Sequence, residues 1–148
     1  MDRNDAVSVI EKLIETCRDG QKGYADAAEH VKRPDLKSFF EQQSAERGRF
    51  AEELQRELSS LGESDKKPSG SVVGALHRTW IDAKATLGGG DKTILESVEQ
   101  GEDSAKAAYE EALSSHLPSN LQTIVQRQAQ SVKSAHDKVR SMRDSLAA

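Results

Sequence analysis

The chain is poor in the residues that staple or punctuate a small protein. Its 148 residues hold one cysteine, three prolines, one tryptophan and only 4% aromatics. A lone Cys17 cannot form an internal disulfide, so a reducing cytoplasm is the expected setting. No run of about 18 apolar residues occurs, and no membrane span is expected. Met1-Asp2-Arg3-Asn4-Asp5 lacks the basic and then apolar layout of a signal peptide. Basic excess is missing as well. A formal charge of -4 argues against nucleic acid as a partner, since such binders carry a basic face.

What is present is helical periodicity. Val7, Ile10, Leu13, Ile14, Cys17, Tyr24, Ala28 and Val31 recur every three or four residues and predict a first helix from Asn4, its expected N-cap, to Val31. Pro34 suits the first turn of a second helix, with Leu36, Phe39, Phe40, Gln43, Arg47, Phe50, Leu54, Leu58 and Leu61 inward and Gly62 as C-cap. A polar stretch containing Pro68 and Gly70 leads to a shorter amphipathic segment with Val72, Val73, Leu76, Trp80, Ile81 and Leu87. Gly88-Gly89-Gly90 stops that segment; it lacks the Lys-Ser/Thr ending of a phosphate loop. Asp91 is placed to cap a third long helix through Ile94, Leu95, Val98, Glu102, Ala105, Tyr109, Ala112 and Leu113. Pro118 marks a second hairpin turn, and Ser119 with Gln122 has capping-box spacing. The fourth helix reads Leu121, Val125, Gln128, Val132, Ala135, Val139, Met142 and Leu146.

The expected architecture is one all-α domain over 1–148: a hairpin at 4–62, a crossover at 63–90 and a hairpin at 91–146. Placing Tyr24 on Tyr109 also sets Leu36 on Leu121, Gln43 on Gln128, Ile10 on Leu95 and Leu13 on Val98, so the hairpins share a design. Short turns make each hairpin antiparallel, and a long crossover makes helices two and three parallel. The alternative is an up-down-up-down bundle with the short helix packed at one end.

Polar residues interrupt the inward stripes near mid-helix: Gln21, Gln43, Glu46, Arg47, Glu102, Gln128 and His136. Burying them is costly unless they are hydrogen-bonded or hold an ion. A dinuclear carboxylate centre needs Glu from two helices and Glu-x-x-His from the other two. Here Arg49 stands where a His is needed, Lys133 where a Glu is needed, and Gln21 where a carboxylate is needed. The expected arrangement is therefore a closed polar layer of Gln21, Tyr24, Gln43, Arg47, Glu102, Tyr109 and Gln128. In it Glu102 pairs with Arg47 or Arg49, Gln43 meets Gln128, and both tyrosines donate hydroxyls.

Asp19-Gly20-Gln21-Lys22-Gly23-Tyr24, the run Gly70-Ser71-Val72-Val73-Gly74-Ala75-Leu76-His77-Arg78-Thr79-Trp80, Gly101-Glu102-Asp103 with Tyr109, and Ala135-His136-Asp137 resemble a family of small bacterial ferritin-like four-helix-bundle proteins of uncharacterised function. The resemblance spans nearly the whole chain. It implies the ferritin-like topology with a helical crossover, and no established activity or cofactor. The wider superfamily includes iron stores, peroxide scavengers, oxidases and stress-associated proteins. Carried over by position, its ligand set survives in Glu46, Glu102 and His136, while Gln21, Arg49 and Lys133 depart from it.

The resulting expectation is a non-enzymatic, structural, interaction or stress-associated bundle with a degenerate metal site and no cofactor. It would form a homo-oligomer or bind a protein partner. The rival is an iron- or manganese-dependent oxidase or peroxide scavenger built on Glu46, Glu102 and His136. His77 and Trp80, one turn apart, are expected to dock the crossover helix. Cys17 reads as a small hydrophobe, and His30 and His116 as helix-end residues complementing the dipole. Lys32, Arg33 and Lys37 read as a solvated turn.

Overall fold

A computed structural model describes residues 3–62 and 90–147. Four helices carry the described chain: α1 (Arg3–His30), α2 (Pro34–Ser60), α3 (Gly90–Ser114) and α4 (Ser119–Ala147). No strand occurs among the described residues, and no helix of theirs is long and apolar enough to cross a membrane. The short amphipathic segment, with His77 and Trp80 and their expected docking, lies outside the described residues.

The turns follow from local chemistry. Arg33 is extended and Pro34 opens α2, as its fixed φ and missing N–H favour. At the other end of α2 the Leu61 amide bonds back to the carbonyls of Glu57 and Leu58. Gly62 then turns left-handed at φ 90°, where a side chain would be strained. His116 takes the same role between α3 and α4 at φ 61°, although it is not glycine.

Two expected caps differ. Asn4 lies inside α1, whose described part begins at Arg3. Asp91 lies inside the first turn of α3. Its carboxylate instead accepts the backbone N–H groups of Lys32 and Arg33 at 2.8 and 3.0 Å. It therefore satisfies donors of the α1–α2 turn and ties the second hairpin to the first.

Cross-helix contacts fix the topology. Lys12 meets Glu111 while the Lys32 amide meets Asp91, so α1 and α3 are antiparallel. The Phe50 carbonyl meets Gln128 while Glu57 meets Asn120, so α2 and α4 are antiparallel. Because α1 and α2 form a hairpin, α2 and α3 run parallel. This is the crossover arrangement, and it excludes an up-down-up-down order.

The apolar core splits in two. Ile10, Leu13, Ile14, Leu54, Leu58, Leu121 and Val125 belong to a mainly aliphatic cluster at one end, which also takes in Phe50 and Tyr109. Tyr24, Phe39, Phe40, Ile94, Leu95 and Val139 form the other. There the Phe39 and Phe40 centroids lie 5.8 Å apart, and Tyr24 meets Phe39 edge-on at 6.3 Å. Leu54 and Phe40 are wholly buried, and each such side chain contributes about 1.5–3 kcal/mol. Between the two clusters runs the polar tier.

Candidate functional site

Arg47 of α2 occupies the tier. It is 1% exposed, and its Nη2 donates to Glu102 Oε2 of α3 at 2.5 Å. Tyr24 of α1 lays its ring face 5.4 Å from the guanidinium carbon. Burial is the largest single influence and works against the charge, but the Glu102 carboxylate together with Tyr24 and Cys17 outweighs it and holds Arg47 above the usual arginine range. Space for the guanidinium comes from Gly20: a Cβ there would sit 3.0 Å from Nη1. Gly48 makes similar room for the Gln21 amide.

A hydrogen-bonded chain starts beside this pair. Tyr109 Oη donates to Gln128 Oε1 at 2.7 Å, leaving its oxygen 3.0 Å from the Cys17 thiol. Gln128 Nε2 donates onward to Glu53 Oε1 at 2.8 Å, and Glu53 pairs with exposed Arg127. Burial pushes the Cys17 thiol up to about 11, against the opposing pull of the Tyr109 bond and of Arg47 and Arg18. A protonated thiol is a poor nucleophile, so the environment does not equip Cys17 for redox or nucleophilic work.

A second cluster lies on the α3–α4 seam. His136 is 1% exposed, with Nε2 2.6 Å from Asp103 Oδ1 and Nδ1 3.1 Å from Asp137 Oδ1. Glu99, one turn before Asp103, pairs with Arg143 and lies 3.7 Å from Arg140. One donor atom each from Glu99, Asp103 and His136 fall within 4.8 Å of one another.

The sequence-expected residues are thus distributed over distinct environments. Arg47, Glu102, Tyr109 and Gln128 are buried and joined to partners as described. Glu102 takes Arg47, while Arg49 is exposed. Gln128 bonds Tyr109 and Glu53, not Gln43, which is half-buried and whose carbonyl oxygen has no partner among the described residues. Tyr24 offers Arg47 its ring, and its hydroxyl finds no hydrogen-bond partner among the described residues. Gln21 is half-buried and accepts from Arg18 at 2.9 Å. Glu46 is half-buried. Among the described residues, the group gathered around His136 contains neither Glu46 nor Glu102. Sequence reasoning missed Glu53, Glu99, Asp103 and Arg143 as partners. The i, i+4 spacing of Glu99 and Asp103, which sets both on one helix face, was the signal available.

A dinuclear metal centre of the ferritin-like kind does not fit this tier. Its best carboxylate, Glu102, is committed to a buried cation. The position calling for a second Glu holds Lys133, an exposed side chain paired with Asp137 at 3.1 Å. A guanidinium at this depth adds repulsion to any dication and no ligand.

Comparison with known proteins agrees with the architecture. A family model described as a domain of unknown function (DUF2383) matches residues 5–115. Among solved structures, a mutant of Mycobacterium smegmatis Dps1 superposes with a TM-score of 0.76 at 16% identity, covering 95% of this chain and 96% of that one. At this identity the likeness concerns the fold, an all-α ferritin-like four-helix bundle. A comparison with curated proteins finds no match.

Proposed function

The chain belongs to the DUF2383 family, and from that premise we propose that it is a non-enzymatic ferritin-like bundle, a structural or interaction protein of the bacterial cytoplasm that assembles with further copies of itself under stress. The observation carrying this reading is the Arg47–Glu102 pair, 1% and 3% exposed at the side chains. It fills the tier where an oxidase of this architecture would keep its metals. Cys17 supplies no alternative chemistry, since burial keeps its thiol protonated.

Two measurements on the full chain test this. Aerobic addition of Fe²⁺ should produce no oxygen consumption beyond that of buffer, and sedimentation should report a species larger than one chain. Two equivalents of iron or manganese retained through chelator-free purification, and lost in Glu102→Ala, would overturn the non-enzymatic reading. A strictly monomeric species would overturn self-assembly.

A further inference from the structure

We propose that Glu99, Asp103 and His136 form a mononuclear site for a first-row transition dication on the seam between α3 and α4. This goes beyond the function proposed above and does not depend on it. The site lies outside the Arg47–Glu102 pair and shares no residue with it.

The argument begins with the imidazole. Both ring nitrogens of His136 face carboxylate oxygens, Asp103 at 2.6 Å and Asp137 at 3.1 Å. A neutral imidazole carries one N–H and one lone pair, and an ionised carboxylate only accepts. One of the two contacts therefore sets lone pair against lone pair unless a positive charge fills it, either a second ring proton or a metal ion in that proton's place. With the proton on Nδ1, the ring donates to Asp137 and turns the Nε2 lone pair toward Asp103. Donation from the non-ligating nitrogen to a carboxylate is how metal-binding histidines are oriented and made more basic.

Two oxygens complete the donor set. Asp103 contributes Oδ1 from a side chain that is 62% exposed, so it can adjust to an ion without disturbing the core. Glu99 is half-committed: Arg143 takes Oε1, while Oε2 lies a loose 3.7 Å from Arg140. Oε2 is the more loosely held oxygen, the one an ion would take in place of Arg140, and Arg143 is its outer support. One imidazole nitrogen and two carboxylate oxygens suit zinc, iron(II) or manganese(II), with the remaining positions left to water. The ring itself is 1% exposed, so this nitrogen donor stands on a rigid base.

Carboxylates outnumber the Lys and Arg cations on this seam by one. Glu99, Asp103, Asp137 and Asp144 line the seam against Arg140, Arg143 and Lys133. Lys133 takes Asp137 Oδ2 while Oδ1 faces the imidazole, and Arg143 divides its guanidinium between Glu99 and Asp144. Asp103 has only the imidazole as its ion-pair partner among these groups.

The test is calorimetric titration of the full chain, stripped with chelator, using zinc as the probe near neutral pH. The expected result is one zinc per chain with micromolar affinity or better. Asp103→Asn and Glu99→Gln should each weaken binding by about 10- to 100-fold, and His136→Asn should remove it. His30→Asn, a histidine remote from the seam, should bind as the parent does. Asp103→Asn keeps the test sound if His136→Asn fails to fold, because the Asp103 side chain lies at the surface. Absence of zinc binding would overturn the proposal, and so would binding indifferent to both Asp103→Asn and Glu99→Gln. Metal lost with Glu102 but retained in Asp103→Asn would overturn the closed inner tier as well, so the two readings fail separately.

Discussion

Two of the ion pairs that fasten α3 to its neighbours differ chiefly in what surrounds them. Arg47 and Glu102 meet at 2.5 Å with side chains 1% and 3% exposed. Lys12 and Glu111 meet at 3.0 Å with side chains 57% and 72% exposed. Coulomb attraction at the first is little screened, but both ions have been taken from water to reach it. At the second, water and salt weaken the attraction and little desolvation occurs. Proximity alone therefore says little about what a pair contributes. The inner pair is also enclosed by Gly20 and Tyr24, which shape its cavity. The outer one has freedom to rearrange.

The contrast is sharpest when one partner is removed. Glu102→Ala leaves Arg47 charged and buried without an anion, and should cost about 3–5 kcal/mol in urea unfolding. The double variant Glu102→Ala with Arg47→Met should recover most of that loss, because an apolar side chain needs no counter-ion. Recovery would identify the pair as a register device whose stability contribution is small. Failure to recover would mean that the tier holds the bundle together through the pair itself.

Alkali tests the same dryness from another side. Cys17 is raised to about 11 from an ordinary 9.0, chiefly by burial, and Tyr109 and Tyr24 are also raised. Above the unfolded thiol's range the unfolded chain has released its proton while the folded chain keeps it. The stability this represents is whole below pH 9 and is lost as pH rises toward 11. Raising the pH from neutral to about 10.5 should cost about 2 kcal/mol through Cys17 alone. Cys17→Ala should flatten that slope between the two pH values. Urea midpoints for parent and variant measure it.

Periodicity made the helices legible. The expected first helix, 4–31, and the observed Arg3–His30 agree within a residue at each end. Long amphipathic repeats specify a buried face, and Pro34 and Gly62 mark where it stops. The same repeats put Arg47, Glu102, Tyr109 and Gln128 on inward stripes, where the structure buries them. Periodicity does not specify which partner a long side chain reaches. Gln128 was expected to meet Gln43, its counterpart in the other hairpin. The structure gives it Tyr109 and Glu53 because a position on the same level does not fix rotamer or reach. Asp91 looked like a cap for its own helix and serves the opposite hairpin turn, a contact between residues far apart in the chain. The seam around His136 was hidden for a related reason. Asp103 and Asp137 are exposed, and hydrophobic patterning carries no signal for a surface carboxylate that leans over a buried ring.

The smallest expected effect belongs to the outer pair. Lys12→Ala removes the ammonium from Glu111 and leaves that carboxylate in water, already solvated. Unfolding free energy should change by less than about 0.5 kcal/mol, and the change should shrink further as salt is added. Salt should scarcely alter the penalty of Glu102→Ala, since no ion atmosphere reaches that depth. Measuring both variants at low and high ionic strength thus separates the two causes. If Lys12→Ala proved as costly as Glu102→Ala, exposure would not be the deciding variable. The α1–α3 contact would then carry a load that its solvent-facing geometry gives no reason to expect.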